Sequence, residues 1–158
     1  MTNLRERIRV PDDEARSMLE ACRHLQVASI GPDGRPHLVP MWYALDDEGL
    51  IAFTTYAKSQ KIKNLLRDPR ITVMVEAGEA YNELRGVMID GEAEVIADDP
   101  EHTARIMALI GAKHGGRPRP DFSQSPPEIT SAARKRAVVR VHPQRIRSWD
   151  HRRLGGGR

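Results

Sequence analysis

Cysteine is nearly missing: Cys22 stands alone in 158 residues. A single thiol forms no intrachain disulfide and has no cysteine neighbour for a metal site, so its expected role is a buried helical thiol. Aromatic residues are also scarce, with two Trp, three Tyr and two Phe, and they form no base-stacking strand signature of an RNA-binding sheet. No stretch approaches the ~20 apolar residues of a membrane span. The opening MTNLRERIRV lacks an apolar signal core, which leads us to expect a cytoplasmic chain. His24, His37, His102, His114, His142 and His151 are widely spaced, and we expect no metal. The net charge is only +3, its excess concentrated near the end in Arg134, Lys135, Arg136, Arg140, Arg145, Arg147, Arg152, Arg153 and Arg158. Without a zinc-finger spacing or recognition helix, a small anion is a better partner than nucleic acid.

What is present centres on residues 50–73. Leu50, Ile51 and Phe53 form an apolar run ending in Thr54, Thr55 and Tyr56, and Lys58, Ser59, Lys61 and Lys63 follow within six residues. Ser59 is placed to cap a helix from Gln60 to Leu66. Its first-turn amides would then point at whatever sits over Lys58, converging with the side chains on one anion such as a phosphate. The competing reading is that the lysines only solvate a surface helix.

Taken in order, residues 1–10 read as a flexible N-terminus. Residues 12–23 read as a covering helix entered at Pro11, with Ala15, Met18, Leu19 and Cys22 on one face. Apolar positions then shift to period two between Leu25 and Ile30, break at Gly31-Pro32-Asp33-Gly34, and resume to Tyr43, which predicts a β-hairpin. Pro40 inside the second strand implies an edge, a bulge, or a place where a ligand replaces a neighbouring strand. A third strand runs from Leu50 to Thr54 and a fourth from Arg70 to Val75. Residues 81–96 form either a tight hairpin or, preferably, one strand bent at Gly91. Pro100 opens a helix ending near Gly111, and 111–131 reads as a flexible loop or lid. A final strand spans Ala137 to Trp149, with Trp149 important to packing, and 150–158 is a basic flexible tail. Six or seven strands with few helices exclude a doubly wound fold and predict a mainly β, single-domain antiparallel barrel over 1–158 with peripheral helices.

Several motifs carry a family resemblance: Val27-Ala28-Ser29-Ile30 with Gly34-Arg35-Pro36, Pro40-Met41-Trp42-Tyr43, Phe53-Thr54-Thr55 with Lys58-Ser59-x-Lys61, and Asn64-Leu65-x-Arg67-Asp68-Pro69-Arg70. Leu84-Arg85-Gly86, Gly91-Glu92-Ala93 and Val141-x-Pro143-x-Arg145-x-Arg147-Ser148-Trp149 add to them. From about Gln26 to Trp149 the chain resembles the split β-barrel oxidoreductases related to pyridoxamine 5'-phosphate oxidase, and more closely their actinobacterial branch that uses deazaflavin coenzyme F420. The resemblance implies an FMN-binding-type split barrel and a homodimer with two cofactors at its interface. It places Lys58, Thr54, Thr55, Ser59, Lys61 and Arg67 around the phosphoribityl end, the strand Val39, Pro40, Met41 and Trp42 beside the tricyclic ring, and the second subunit near Trp149. Arg85 is a further candidate, with pairing to Glu83, Glu92 or Glu94 as its other reading. His37 and Tyr43 read as a rim histidine and a packing tyrosine.

Hydride transfer to or from such a ring needs few reactive side chains, so the lack of a catalytic dyad fits. FMN and F420 both present a phosphate. The acidic oligoglutamate tail of F420 would suit the arginines of the final segment, which favours F420 with FMN as the alternative. The expected function is a reductase acting on an electron-poor small molecule, such as a conjugated tetrapyrrole or quinone-like compound. The other readings are an FMN-dependent enzyme like pyridoxamine phosphate oxidase, or a non-catalytic cofactor carrier.

Overall fold

The structure is a computed structural model, described here for residues 3–154. A short helix α1 (Leu4–Arg7) precedes α2 (Asp12–Ala21), followed by β1 (His24–Ile30), β2 (Pro36–Trp42), β3 (Ala44–Leu45), β4 (Ile51–Tyr56), α3 (Gln60–Arg67) and β5 (Arg70–Ala77). Then come β6 (Arg85–Ile96), α4 (Pro100–His114), α5 (Ser131–Arg134) and β7 (Arg136–Asp150), with 3-10 turns at Tyr81–Glu83 and His151–Leu154. None of the described helices is long and apolar enough to cross a membrane.

The seven strands form one antiparallel sheet in the order β2-β1-β5-β6-β7-β4-β3. Alternation in sequence becomes alternation in burial: Leu25, Val27, Ile71, Val73, Val75, Val87 and Ile89 point inward to one core. Each fully buried aliphatic chain of this size contributes ~1.5–3 kcal/mol. The long strands β6 and β7 serve both halves of the split barrel. Residues 85–90 pair with 145–150, whereas Gly91 to Ile96 pair with the earlier part of β7, which also pairs with β4. The hairpin alternative for 81–96 is therefore replaced by one bent strand, with the register shift between Asp90 and Gly91.

Gly91 is required by close approach: a Cβ there would press on the His142 carbonyl oxygen and the Pro143 Cα of the adjoining backbone. Because backbone on a paired strand cannot swing aside, Gly91→Ala is expected to cost about 1–3 kcal/mol of stability. An unchanged midpoint in urea unfolding would contradict this.

Several boundaries differ from the sequence reading. Cys22 is not helical: it follows α2 with an extended backbone (φ −67°, ψ 139°) as the chain turns into β1, and it is partly buried. Gly111 does not end α4, which runs on to His114 because Ala112 is buried and Lys113 docks on α2. The Lys113 ammonium donates to the Leu19 carbonyl at 3.1 Å, satisfying an acceptor at the end of α2, and lies 3.5 Å from the Tyr43 ring centre. The irregular segment thus begins at Gly115 and ends at α5. Within 1–10, the backbone around Val10 is tied to β7: the Asp150 amide donates to Ile8 at 2.7 Å and the Val10 amide to the Ser148 hydroxyl at 3.1 Å. The basic tail continues as the turn His151–Leu154, and its remainder lies outside the described residues.

Candidate functional site

The hydroxyl-rich end of β4 meets the start of β7. Thr54 and Thr55 are buried, and Tyr56 pairs with Arg136 across the strands. The Arg136 guanidinium stacks on the Tyr56 ring at 4.6 Å and reaches the Thr54 carbonyl at 3.5 Å. Its Nε is buried with no partner. Lys61, on the first turn of α3, stands close enough to Arg136 that burial, reinforced by that positive charge, pushes its ammonium pKa down. No carboxylate pairs with either cation among the described residues. Two cations converging without an acid are costly unless an anion joins them.

Ser59 occupies the N-cap position of α3 with extended backbone angles, yet its hydroxyl makes no capping bond. It instead accepts a weak bond from the Thr55 hydroxyl at 3.4 Å. The first-turn amides of α3 and the Ser59 and Thr55 hydroxyls therefore flank the same cationic corner. Lys58 is exposed beside it. Arg136 was hidden in sequence because it follows Arg134 and Lys135 in what reads as a surface run. Only the β4–β7 register places it opposite Tyr56.

Buried Asn64 holds α3 in position. Its Nδ2 donates to the Ser29 hydroxyl at 3.1 Å, while its Oδ1 accepts from Gln60 at 2.8 Å. This fastens α3 to β1, the neighbour of β2. Arg67 lies at the other end of α3, where its guanidinium bonds the Ile30 carbonyl and Asn64. In the described structure its side chain is engaged there, at the C-terminal end of α3, and makes no hydrogen bond with Lys58, Ser59 or Lys61.

Strand β2 is an edge strand, which explains how it tolerates Pro40. Val39 and Met41 turn inward against the core, whereas Leu38, Pro40 and Trp42 face outward. Leu38 is 65% and Trp42 55% exposed. One face of the Trp42 indole stacks on the His114 imidazole, 4.1 Å away and 17° from parallel. Both ring nitrogens of His114 are buried without partners, and burial, together with nearby Arg23, Lys113 and His24, pushes its pKa below the ordinary 6.5. Tyr43 is fully buried and its hydroxyl donates to the Leu19 carbonyl at 2.6 Å, the packing role read from the sequence.

A pH dependence follows. Between the lowered folded value of His114 and 6.5, the unfolded chain binds more protons than the folded one, so stability falls as pH drops through that window. Asp68, Glu94 and Asp150, all held below the usual carboxylate range, add losses only at lower pH, below their ordinary values. The urea midpoint is expected to decline from pH 6.5 downward in wild type, and His114→Phe should flatten the upper part of that decline. An equal slope in both proteins would contradict the assignment to His114.

Trp149 lies over Gly86 at the far end of β7. The register runs Trp42 to His24, Glu76 to Gly86, and Gly86 to Trp149. With Gln26 paired to Met74 between β1 and β5, both tryptophans thus belong to one outer sheet face, four strands apart in the sheet order. Arg85 adjoins this row and forms none of the pairs with Glu83, Glu92 or Glu94, since Glu94 bonds Arg140 and His142 instead. The candidate residues therefore fall into a phosphate-suited corner around Lys58, Lys61 and Arg136, and an outer face carrying Pro40, Trp42 and Trp149, whereas Arg85, in register with Ala77 and Asp150, lies on the opposite face at the end of the sheet.

Comparison with known proteins gives a family model for pyridoxamine 5'-phosphate oxidase matching residues 11–150. The chain is similar to a 5a,11a-dehydrotetracycline/5a,11a-dehydrooxytetracycline reductase of Streptomyces rimosus, with 25% identity over 136 residues, covering 83% of this chain and 77% of that protein. The crystal structure of a conserved hypothetical protein from Mycobacterium tuberculosis is 38% identical, covers 99% of this chain and 95% of its own, and superposes with a TM-score of 0.84. A structure described as an F420 reductase shares the fold at 24% identity and a TM-score of 0.65, covering 87% of this chain and 98% of that one.

Proposed function

The chain belongs to the pyridoxamine 5'-phosphate oxidase family, and on that premise we propose an oxidoreductase that binds reduced coenzyme F420 and delivers its hydride to a small electron-poor organic molecule. The observation that carries the reading is the Lys61–Arg136 corner, whose orphaned Arg136 Nε fits a phosphate oxygen. Lys58, Ser59, Thr55 and the first amides of α3 would complete the cradle. The coenzyme supplies the hydride when bound; the chain's own part is to hold the phosphate, present the β2 edge to the ring and keep water from the reacting face. The reductase described for the Streptomyces rimosus relative supports this class of chemistry.

In one chain, Trp149 lies 11 residues along β7 from Val138, the partner of Thr54, so the two halves of the proposed site are brought together by a second copy. That copy would pack on the outer face, where Leu38 and Trp42 are exposed and Met74 and Met88 lie between them and β7. FMN satisfies the same phosphate corner and is the second reading. Turnover decides between enzyme and carrier. Purified protein with reduced F420 and a panel of activated alkenes and tetrapyrroles is expected to reoxidise the coenzyme above background, and no reoxidation with any of them would count against the enzyme.

A further inference from the structure

A cavity of about 360 Å³ opens at one end of the sheet, between the end of α2, β1, β5 and the start of β6, and is lined from both faces: His24, Gln26 and Glu76 from the outer one, Ala77 and Arg85 from the core one. Its lining includes His24 and Gln26, the strand partners of Trp42 and Pro40, so it adjoins the two outward residues of the β2 ligand strand. Arg85 reaches it with no hydrogen bond or ion pair to any described residue, and Arg23 is engaged only with the His114 carbonyl. Ala21, Ala77 and the Cys22 thiol supply apolar surface. Glu76 is its one carboxylate, exposed at the rim, against the two guanidinium groups of Arg85 and Arg23.

We propose that this cavity binds the carboxylate of the molecule to be reduced, clamped by the Arg85 guanidinium and neutralised by Arg23. A planar guanidinium matches a carboxylate through two parallel N–H bonds, and the unpaired state of Arg85 leaves that fork free. The apolar lining suits the organic body, which then extends toward Trp42. Arg85 is thus a positioning and specificity residue. That the carboxylate belongs to a hydride acceptor rests on the function proposed above; the binding itself does not.

Cys22, the chain's single cysteine, lines the cavity and serves as a reporter. The thiol's pKa is raised by burial, Lys113 and Arg85 pull it partly back, and Glu76 adds a smaller push upward, so the Arg85 charge is felt at the sulfur. Alkylation by iodoacetate and by neutral iodoacetamide is compared with glutathione in the same buffer. The acetate-to-acetamide rate ratio is expected to exceed that of glutathione by about tenfold at low salt, and to fall toward it with added salt or Arg85→Gln. A ratio equal to that of glutathione and insensitive to Arg85→Gln overturns the proposal.

Independently of thiol reactivity, benzoate is expected to shift the Arg85 Nε–Hε resonance saturably in NMR titration, whereas benzamide is not. Equal responses to the two, no response to either, or stronger competition by inorganic phosphate than by benzoate overturns the carboxylate assignment. These measurements use no cofactor. Loss of benzoate binding with intact F420 binding sinks this inference alone, and the reverse outcome sinks only the proposed function.

Discussion

Replacing Arg136 with alanine is expected to weaken binding of F420 or FMN by about 1.5–3 kcal/mol, roughly ten- to a hundredfold in Kd, the magnitude of a lost charge-assisted bond to an anion. Lys58→Ala should fall in the same range. The two positions differ in what they expose. Arg136 is held by the Tyr56 ring and the Thr54 carbonyl, so its loss removes a preorganised donor, whereas Lys58 is free at the surface and must be ordered by the ligand. Removing Arg136 also removes one cause of the lowered Lys61 pKa, which should move back up. Unfolding midpoints separate a binding defect from a folding defect. Unchanged affinity in Arg136→Ala would take Arg136 out of the phosphate corner, and unchanged affinity in Lys58→Ala would do the same for Lys58.

The largest stability effect is expected at Arg140. Its side chain is 11% exposed and its Nε donates to Asp46, itself only 6% exposed, at 2.7 Å. The other guanidinium nitrogens reach Glu48 at 3.1 Å and Glu94 at 3.0 Å. Asp46 Oδ1 in turn accepts the amides of Glu48 and Leu50, both at 2.9 Å, shaping the turn between β3 and β4. Arg140→Met would leave a buried carboxylate without its counter-charge, a loss of about 3 kcal/mol. Adding Asp46→Asn should recover part of that loss, because it removes the stranded charge. Additive losses in the double mutant, measured by urea unfolding, would contradict the pairing.

The sheet was legible wherever one residue type has one physical use. Gly31-Pro32-Asp33-Gly34 can only interrupt a strand, Pro40 is tolerable at an edge, and Gly91 marks the corner where β6 and β7 approach too closely for a Cβ. Helix ends were less legible because tertiary contacts decide them. Lys113 and Ala112 carry α4 past Gly111 through their contacts with α2 and the sheet, and no local signal announces that docking. The same limit applies to the candidate site. A lysine-rich helix start is visible in sequence, but the convergence of Lys61 with Arg136 depends on a pairing across some 80 residues. Arg67 shows the converse: it belongs to the same motif as Lys61, yet its hydrogen bonds with Ile30 and Asn64 hold the far end of the helix.

We propose that the corner built by Lys58, Ser59, Lys61 and Arg136 anchors the phosphate of a deazaflavin. Titrating the purified protein separately with reduced F420, oxidised F420 and FMN, following ring spectra and dissociation constants, tests it most directly. Saturable binding of F420 is expected, tighter than that of FMN and weakened by Arg136→Ala. Tighter binding of FMN would overturn the choice of deazaflavin, and no measurable binding of any of the three would contradict the cofactor site itself.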